Sequence, residues 1–163
     1  MNLSDRATKI KGIFYTHCKT IVDVQPSFDV TPSKKHPGTG TIEEEIKFID
    51  GSLLNFFELI KGGNIGIYSY LYIRPDTGFF FHYQNEGIQK GIKKPLHHLH
   101  VGIMKDYFDK KMLEMLPKEL IEHNGPHYMA PEIDFFNLMG LIVANFFIEH
   151  RDCVKMLTNL GCK

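Results

Sequence analysis

Three histidines within four positions are the residues of this sequence best suited to chemistry. They are His97, His98 and His100, in the segment Pro-Leu-His-His-Leu-His. Successive side chains of a β-strand point to opposite faces. His98 and His100 would therefore share one face, with Cα atoms about 6.5 Å apart, and His97 would lie on the other. Because an unperturbed imidazole titrates at about pH 6.5, such a pair can serve as an acid and a base.

This pair suits metal-independent cleavage of RNA, in which one group activates the ribose 2′-hydroxyl and another protonates the leaving oxygen. Two other interpretations stay open. The pair could bind a divalent metal, although no CxxC or HExxH motif accompanies it. The histidines could also be hydrogen-bonded structural residues. We predict that His98 and His100 are catalytic and that no cofactor is needed.

Glu58 is the carboxylate that the sequence offers as a partner for these histidines. It falls on the same face of a strand-like segment as Leu54, Phe56 and Ile60. A charge on an apolar face needs a partner. We therefore predict that Glu58 orients one histidine ring and is the third catalytic residue. The alternative is a solvated position at the end of the strand.

Aromatic and polar residues on neighbouring segments are candidates for holding a substrate. Alternate tyrosines, including Tyr70 and Tyr72, would form one face of a strand and could stack bases, or they could be ordinary cross-strand pairs. Lysines before the histidines form a local positive patch that could attract phosphate. The predicted substrate-binding residues are His97, Tyr70, Tyr72, His82, Tyr83, Asn85 and Lys94.

An antiparallel meander is the arrangement that would position these residues. Hydrophobic alternation and short turns, such as Asp50-Gly51, favour consecutive strands. The β-branched run Thr20–Val24 could begin another strand, whereas the proline-rich stretch Gln25–Gly40 reads as a loop. The predicted strands are Thr39–Asp50, Ser52–Ile60, Ile65–Arg74, Phe79–Asn85 and Leu96–Val101.

Helices are predicted at both ends of the chain. The first would be capped by Ser4 and carry Ile10, Ile13 and Phe14 at helical spacing. A second would cover Met104–Leu116, before Pro117, and a long buried one would run from Pro131 to His150, with Pro126 and Pro131 bracketing a linker. The fold class is therefore α+β, with about five strands, an N-terminal helix and C-terminal helices packed on one face.

Composition limits the classes of protein to consider. The 163 residues favour a single domain, 1–163, and the formal net charge of +0 excludes strong overall attraction to nucleic acid or to an anionic membrane. The three cysteines form no disulfide pattern, the start of the chain lacks the features of a secretory signal, and the longest apolar run is too short to span a bilayer. We expect a cytoplasmic protein without membrane contact.

Residues 38–102 also carry a set of motifs in a recognisable order, with an Asp-Gly-Ser hairpin, a glutamate strand, a tyrosine strand, an aromatic strand and a histidine segment. Together they resemble the TumE-like toxins of prokaryotic toxin–antitoxin systems. Residues 103–163 would then be a helical extension. The segments that carry the resemblance are Gly40–Ile42, Phe48–Ser52, Leu54–Glu58, Tyr68–Tyr72, Phe81–Asn85 and Pro95–Gly102.

The resemblance implies a toxin with a cognate antitoxin as its partner, and the histidine chemistry adds RNA as the substrate. Two positions depart from the family pattern, since His82 replaces the usual arginine and Gln84 the usual aspartate. These departures favour the alternative of a non-catalytic protein that binds nucleic acid or a partner. An exposed tyrosine face and near-zero net charge would also suit a homodimer.

Overall fold

The computed structural model describes residues 2–85, 95–121 and 127–150 of the chain. Within these residues the protein has three α-helices, seven strands and short 3₁₀ helices. The 3₁₀ helices occupy Lys105–Tyr107, Lys118–Leu120 and Ile148–His150. The main elements are α1 (Leu3–Thr16), β1 (Asp29–Pro32), β2 (Gly40–Lys47), β3 (Leu53–Lys61), β4 (Asn64–Ile73), β5 (Phe79–Gln84), β6 (His98–Ile103), α2 (Lys110–Met115), β7 (Tyr128–Met129) and α3 (Phe135–Phe146).

The seven strands form one sheet in chain order, β1 to β7, and each neighbouring pair is antiparallel. This confirms the predicted α+β class, although the sheet has seven strands rather than about five. The two additional strands lie at the edges. β1 falls in the predicted proline-rich loop and is exposed along its length, and β7 has only two residues. Neither edge strand has the buried-exposed alternation from which a strand can be predicted.

Short turns join the central strands. The β2–β3 hairpin turns at Gly51, whose φ of 81° lies in the left-handed region, and Ser52 donates its backbone N–H to the Asp50 side chain. The predicted strand at Thr20–Val24 is absent. That segment contributes a single bridge, from Val22 to Phe48, beside the sheet.

Helices α1 and α3 cover one side of the sheet, which we call the core face. Phe135 of α3 contacts Phe14 of α1, Phe56 of β3 and Tyr70 of β4, with ring centroids 6.1, 4.8 and 5.9 Å apart. This confirms that an N-terminal helix and a C-terminal helix pack on one face. We call the opposite side of the sheet the histidine face, because His82, His98 and His100 lie there.

Side-chain caps set the helix ends at positions that differ from the prediction. Asn2, rather than Ser4, caps α1 by accepting the Asp5 N–H at 2.7 Å. Asp134 caps α3, which therefore begins four residues after Pro131 rather than at it. A short carboxylate or amide that accepts an N–H of the first turn fixes the start of a helix.

The predicted second helix is shorter than expected. Asp109 accepts the Met112 N–H and starts α2 at Lys110, so only a 3₁₀ turn occupies the earlier part. Leu116 ends α2 just before Pro117, as predicted. None of the helices within the described ranges combines the length and apolar character that crossing a bilayer requires.

Candidate functional site

The register of β4, β5 and β6 collects polar side chains on the histidine face. His82 pairs with His100 and Gln84 pairs with His98, so that these four residues point to the same side of the sheet. Ser69 of β4 lies opposite Gln84 and joins them. The prediction that His98 and His100 share one face is confirmed. Both are buried, with 0% and 3% of their surface exposed.

A fourth imidazole completes the group. His127 immediately precedes β7, and β7 pairs with β6 at His98 and Leu99. Its ring centroid lies 5.1 Å from that of His98 and 4.3 Å from that of His100, and the His98 and His100 centroids are 5.2 Å apart. One ligand atom from each of His98, His100 and His127 lies within 4.8 Å of the others. We call these three residues the histidine triplet.

Hydrogen bonds orient the rings of the histidine face. Nδ1 of His98 lies 2.9 Å from the carbonyl oxygen of Pro95. A carbonyl oxygen can only accept, so Nδ1 carries the proton and Nε2 of a neutral His98 carries the lone pair. Nε2 of His100 lies 3.0 Å from the side-chain amide nitrogen of Gln84, and Nε2 of His82 lies 2.6 Å from the Ser69 hydroxyl.

The two positions that depart from the family pattern both belong to this group. His82 and Gln84 lie on β5, each directly opposite a histidine of β6. The ring centroids of His82 and His100 are 6.0 Å apart. In this chain the neighbours of the catalytic candidates are therefore an imidazole and an amide, neither of which carries a permanent charge.

Glu58 does not join the histidines, and the prediction that it converges with them is wrong. In the sheet register Glu58 pairs with Tyr68, on the core face. There it is 0% exposed and accepts two hydrogen bonds from Arg6, with Nε to Oε2 at 2.8 Å, and one from the Tyr70 hydroxyl at 2.7 Å. The sheet itself separates this carboxylate from His98 and His100.

Electrostatics bind Arg6, Glu58 and Tyr70 into one buried cluster. Burial alone lowers the pKa of Arg6, but the hydrogen bond and the negative charge of Glu58 raise that pKa above its ordinary value. Burial, followed by the charge and the hydrogen bond of Glu58, raises the pKa of Tyr70 well above its ordinary value. The cluster holds α1 against β3 and β4, which is a structural role.

The tyrosine strand faces the core, which reverses the predicted orientation. Tyr68, Tyr70 and Tyr72 are 2%, 0% and 0% exposed, so in this structure Tyr70 and Tyr72 offer no ring surface for a base. Tyr68 stacks on Tyr70, and Tyr72 packs between Phe81 and Phe146. The burial also removes the exposed tyrosine face from which a homodimer was predicted.

The remaining predicted substrate-binding residues are dispersed. His97 lies on the core-face side, with Nδ1 3.0 Å from the Tyr68 hydroxyl. Asn85 accepts the Tyr68 backbone N–H at 2.6 Å and thereby ties β5 to β4. Lys94 lies outside the described residues. Tyr83 lines a groove of about 370 Å³ on the core face, together with Phe79, Phe81, Leu99, Val101, Leu141, Asn145 and Phe146.

Sequence reasoning missed His127. It is 27 residues beyond His100 and lies in a segment predicted as a linker. Nothing in its local sequence links it to the other histidines. Only the pairing of β7 with β6 brings it to them.

Comparisons with known proteins assign the chain, rather than the geometry of its histidines, to a family. No curated protein matches the chain, and no solved structure matches it either. A family model described as Toxin TumE matches residues 17–118. This range extends beyond the 38–102 expected from the motifs and contains β1 to β6 and α2, whereas His127, β7 and α3 follow it. Because the match covers more than half of the chain, the protein belongs to the TumE family of toxins.

Proposed function

We propose that this protein is a toxin that cleaves RNA without a metal, and that His98 and His100 transfer the protons. Membership of a toxin family supports the first part of the proposal. The second part depends on one observation, the two imidazoles 5.2 Å apart between centroids on one face of β6. At this separation both rings can reach the same ribose-phosphate unit.

His98 is the better candidate for the base. Its Nδ1–H donates to the Pro95 carbonyl oxygen at 2.9 Å, which fixes the tautomer with the lone pair on Nε2. A held tautomer, with the lone pair on a defined nitrogen, is what proton abstraction from a ribose 2′-hydroxyl requires.

His100 is then the acid. Its neighbour Gln84 is an uncharged amide, which can donate to a neutral ring through its nitrogen and accept from an imidazolium through its oxygen. In the reaction the 2′-oxygen bonds to phosphorus as His98 takes its proton. The bond from phosphorus to the 5′-oxygen breaks, and the His100 imidazolium protonates that oxygen. The products are a 2′,3′-cyclic phosphate and a 5′-hydroxyl end.

Access to the pair would require local opening of the sheet edge at β6 and β7. His98 and His100 are almost fully buried, and His127 and β7 lie beside them at the edge of the sheet. β7 pairs with β6 at only two positions, and both of its residues are exposed, Tyr128 at 50% and Met129 at 83%. Such an edge strand belongs to the low-stability end of a fold, where local opening is common.

The proposal includes two partners. RNA is the substrate, and an antitoxin is the expected neutralising protein of a family of this kind. A bell-shaped dependence of the cleavage rate on pH is expected, since one imidazole must be neutral and the other protonated.

Cleavage of a labelled oligoribonucleotide in the presence of a chelator tests the proposal. We expect His98→Gln and His100→Gln each to slow cleavage by about 10²–10⁴-fold, the usual contribution of a positioned acid or base. His36→Gln, a change at an exposed histidine far along the chain, is the matched control and should cleave at the wild-type rate. Circular dichroism checks that each variant is folded.

The same experiment can reject the proposal. A folded His98→Gln, His100→Gln double variant that cleaves RNA, or arrests growth on expression, as well as the wild type would exclude the assigned roles. A wild-type protein that binds the oligonucleotide without cutting it would point instead to the non-catalytic interpretation. An oligonucleotide with a single 2′-deoxy position should resist cleavage at that position if the 2′-oxygen is the nucleophile.

A further inference from the structure

We infer that His98, His100 and His127 form a binding site for a divalent transition metal of the zinc type, which links the β7 edge to β6 and suppresses the activity of the histidine pair. The inhibitory part of this inference rests on the proposed function, whereas the metal site does not. The third ligand, His127, lies beyond the residues that the family model matches, so the family match by itself does not imply this site.

The geometry of the histidine triplet is close to that of a three-histidine metal site. Its ligand atoms lie within 4.8 Å of one another. Around a tetrahedral zinc ion with Zn–N distances of about 2.0–2.1 Å, neighbouring nitrogens are about 3.3 Å apart. Side-chain rotation can bring the nitrogens from separations of up to 4.8 Å to this shorter distance, most easily at His127, which is less buried than the other two histidines. Three imidazoles with a fourth position left to water form a known class of zinc site.

The surrounding hydrogen bonds suit metal ligation. A ligating histidine usually donates its other ring N–H to a carbonyl or carboxylate, which fixes the tautomer. The Pro95 carbonyl oxygen already has this relation to Nδ1 of His98, which makes Nε2 the ligand nitrogen of that ring. At His100 a half-turn of the Gln84 amide would place its oxygen on Nε2 and favour Nδ1 as the ligand atom.

The choice of metal follows from the ligand type. Three neutral imidazoles favour zinc, copper or nickel over magnesium or calcium, which prefer oxygen ligands. The rings of His98 and His100 come from one rigid strand, and His127 comes from the adjoining edge segment. A metal bound by all three histidines would therefore hold that segment against β6 more firmly than the two residue pairs between β6 and β7 do alone.

Metal binding and proton transfer compete for the same nitrogens. Metal affinity requires deprotonated imidazole, and a nitrogen that holds a metal cannot hold a proton. A metal on His98 and His100 would remove both the base and the acid. It would also oppose local opening of the sheet edge at β6 and β7. The bound metal is thus an inhibitor of the proposed RNA cleavage.

Metal titration of the protein, prepared without a histidine tag and freed of metal by a chelator, tests the site. Cobalt(II) is the spectroscopic probe and zinc(II) the calorimetric one. We expect one metal per chain and the visible absorption bands of tetrahedral cobalt. His127→Gln and His98→Gln should each weaken binding by more than the ~10–100-fold that loss of an outer partner costs. His36→Gln should bind as the wild type does.

Three results would overturn the metal site. They are no binding at millimolar zinc, binding that His98→Gln and His127→Gln leave unchanged while both variants stay folded, and cobalt spectra of an octahedral ion. None of these measurements involves RNA. A protein that binds metal as expected but never cleaves RNA would therefore reject the proposed function and leave the metal site standing.

The inhibitory part has its own readout. We expect one equivalent of zinc to suppress cleavage by the wild type, and a chelator to restore it. His127→Gln, measured against its own cleavage rate in the chelator, should need far more zinc than the wild type for the same fractional suppression. Undiminished cleavage by the zinc-loaded wild type would reject the inhibitory role, even with the metal bound.

Discussion

The core face and the histidine face both bury polar side chains, but the surroundings of these side chains differ. On the core face Glu58 is surrounded by Arg6 and Tyr70, and each oxygen of its carboxylate accepts a hydrogen bond. On the histidine face the buried groups include the imidazoles of His98 and His100 at the edge of the sheet, next to a strand of two residues.

This difference distinguishes an ion pair that stabilises the fold from histidines that are suited to proton transfer. A buried ion pair whose partners satisfy each other is inert, because breaking it costs several kcal/mol. Imidazoles beside an edge strand of two residues are side chains suited to proton transfer, and local opening of such an edge can expose them. From the sequence, Glu58 was the most attractive carboxylate for catalysis. In the structure Glu58 stabilises the packing of α1 on the sheet, and we expect the functional residues on the histidine face.

The largest expected effect comes from breaking the ion pair. Glu58→Gln keeps the shape of the side chain but removes the negative charge next to Arg6, which is only 4% exposed. The free energy of unfolding should fall by about 3–5 kcal/mol, because a buried charge loses its partner. Denaturant unfolding measures this loss.

Glu45→Gln, at an exposed position of β2, is the control and should have little effect. If Glu58→Gln instead abolished RNA cleavage while leaving the unfolding free energy intact, the contrast between the two faces would be wrong, and Glu58 would belong to the chemistry.

A smaller effect is expected from the hydroxyl of Tyr70. Tyr70→Phe removes the hydrogen bond to Oε1 of Glu58 and leaves the ring stacked on Tyr68. Hydrogen bonds to charged groups contribute about 1.5–3 kcal/mol, so the loss of stability should fall in that range. Tyr15→Phe, on the exposed side of α1, should be neutral. Equal changes in the two variants would mean that the hydrogen bond from the Tyr70 hydroxyl to Glu58 adds nothing specific to stability.

The smallest expected effect is the pH dependence that the buried tyrosines cause, and it can be measured without any substitution. Burial raises the pKa of Tyr72 from 10.0 to about 12, and it also raises the pKa values of Tyr68 and Tyr70. A raised pKa means that the unfolded chain loses these protons first. The stabilisation is therefore complete below pH 10 and is lost as the pH rises towards about 12.

Phenolate absorbance of the native and the denatured protein measures this difference. The chain has seven tyrosines, and the native curve should lag behind the denatured one by the signal of the three with raised pKa values, Tyr68, Tyr70 and Tyr72. Superimposable curves would mean that the tyrosine strand is open to solvent, as the sequence first suggested.

Local patterns determined much of the fold. Alternation along the chain gave the five central strands within a few residues, and the same period of two put His98 and His100 on one face and His97 on the other. These predictions succeed because the two faces of a strand are fixed by backbone geometry and need no knowledge of distant residues.

Relations between strands were decided only by the tertiary structure. Alternation says which residues share a face, but not which face the helices cover, and β4 has tyrosines on one face and mostly aliphatic side chains on the other. Three strand pairings separate Glu58 from His98. A shift of one residue in the register of any of them would place the side chains of the shifted strand on the opposite face of the sheet. His127 reached the histidines through a two-residue strand too short to leave a pattern.

The sequence by itself therefore determined the α+β class, the histidine pair on β6 and, through its motifs, the resemblance to the TumE toxins. The tertiary structure alone decided that Glu58 belongs to Arg6, that the tyrosines line the core and that a third imidazole joins His98 and His100. The physical reason is that side-chain direction repeats locally every two residues, whereas the assignment of faces depends on every register in the sheet and on where the helices pack.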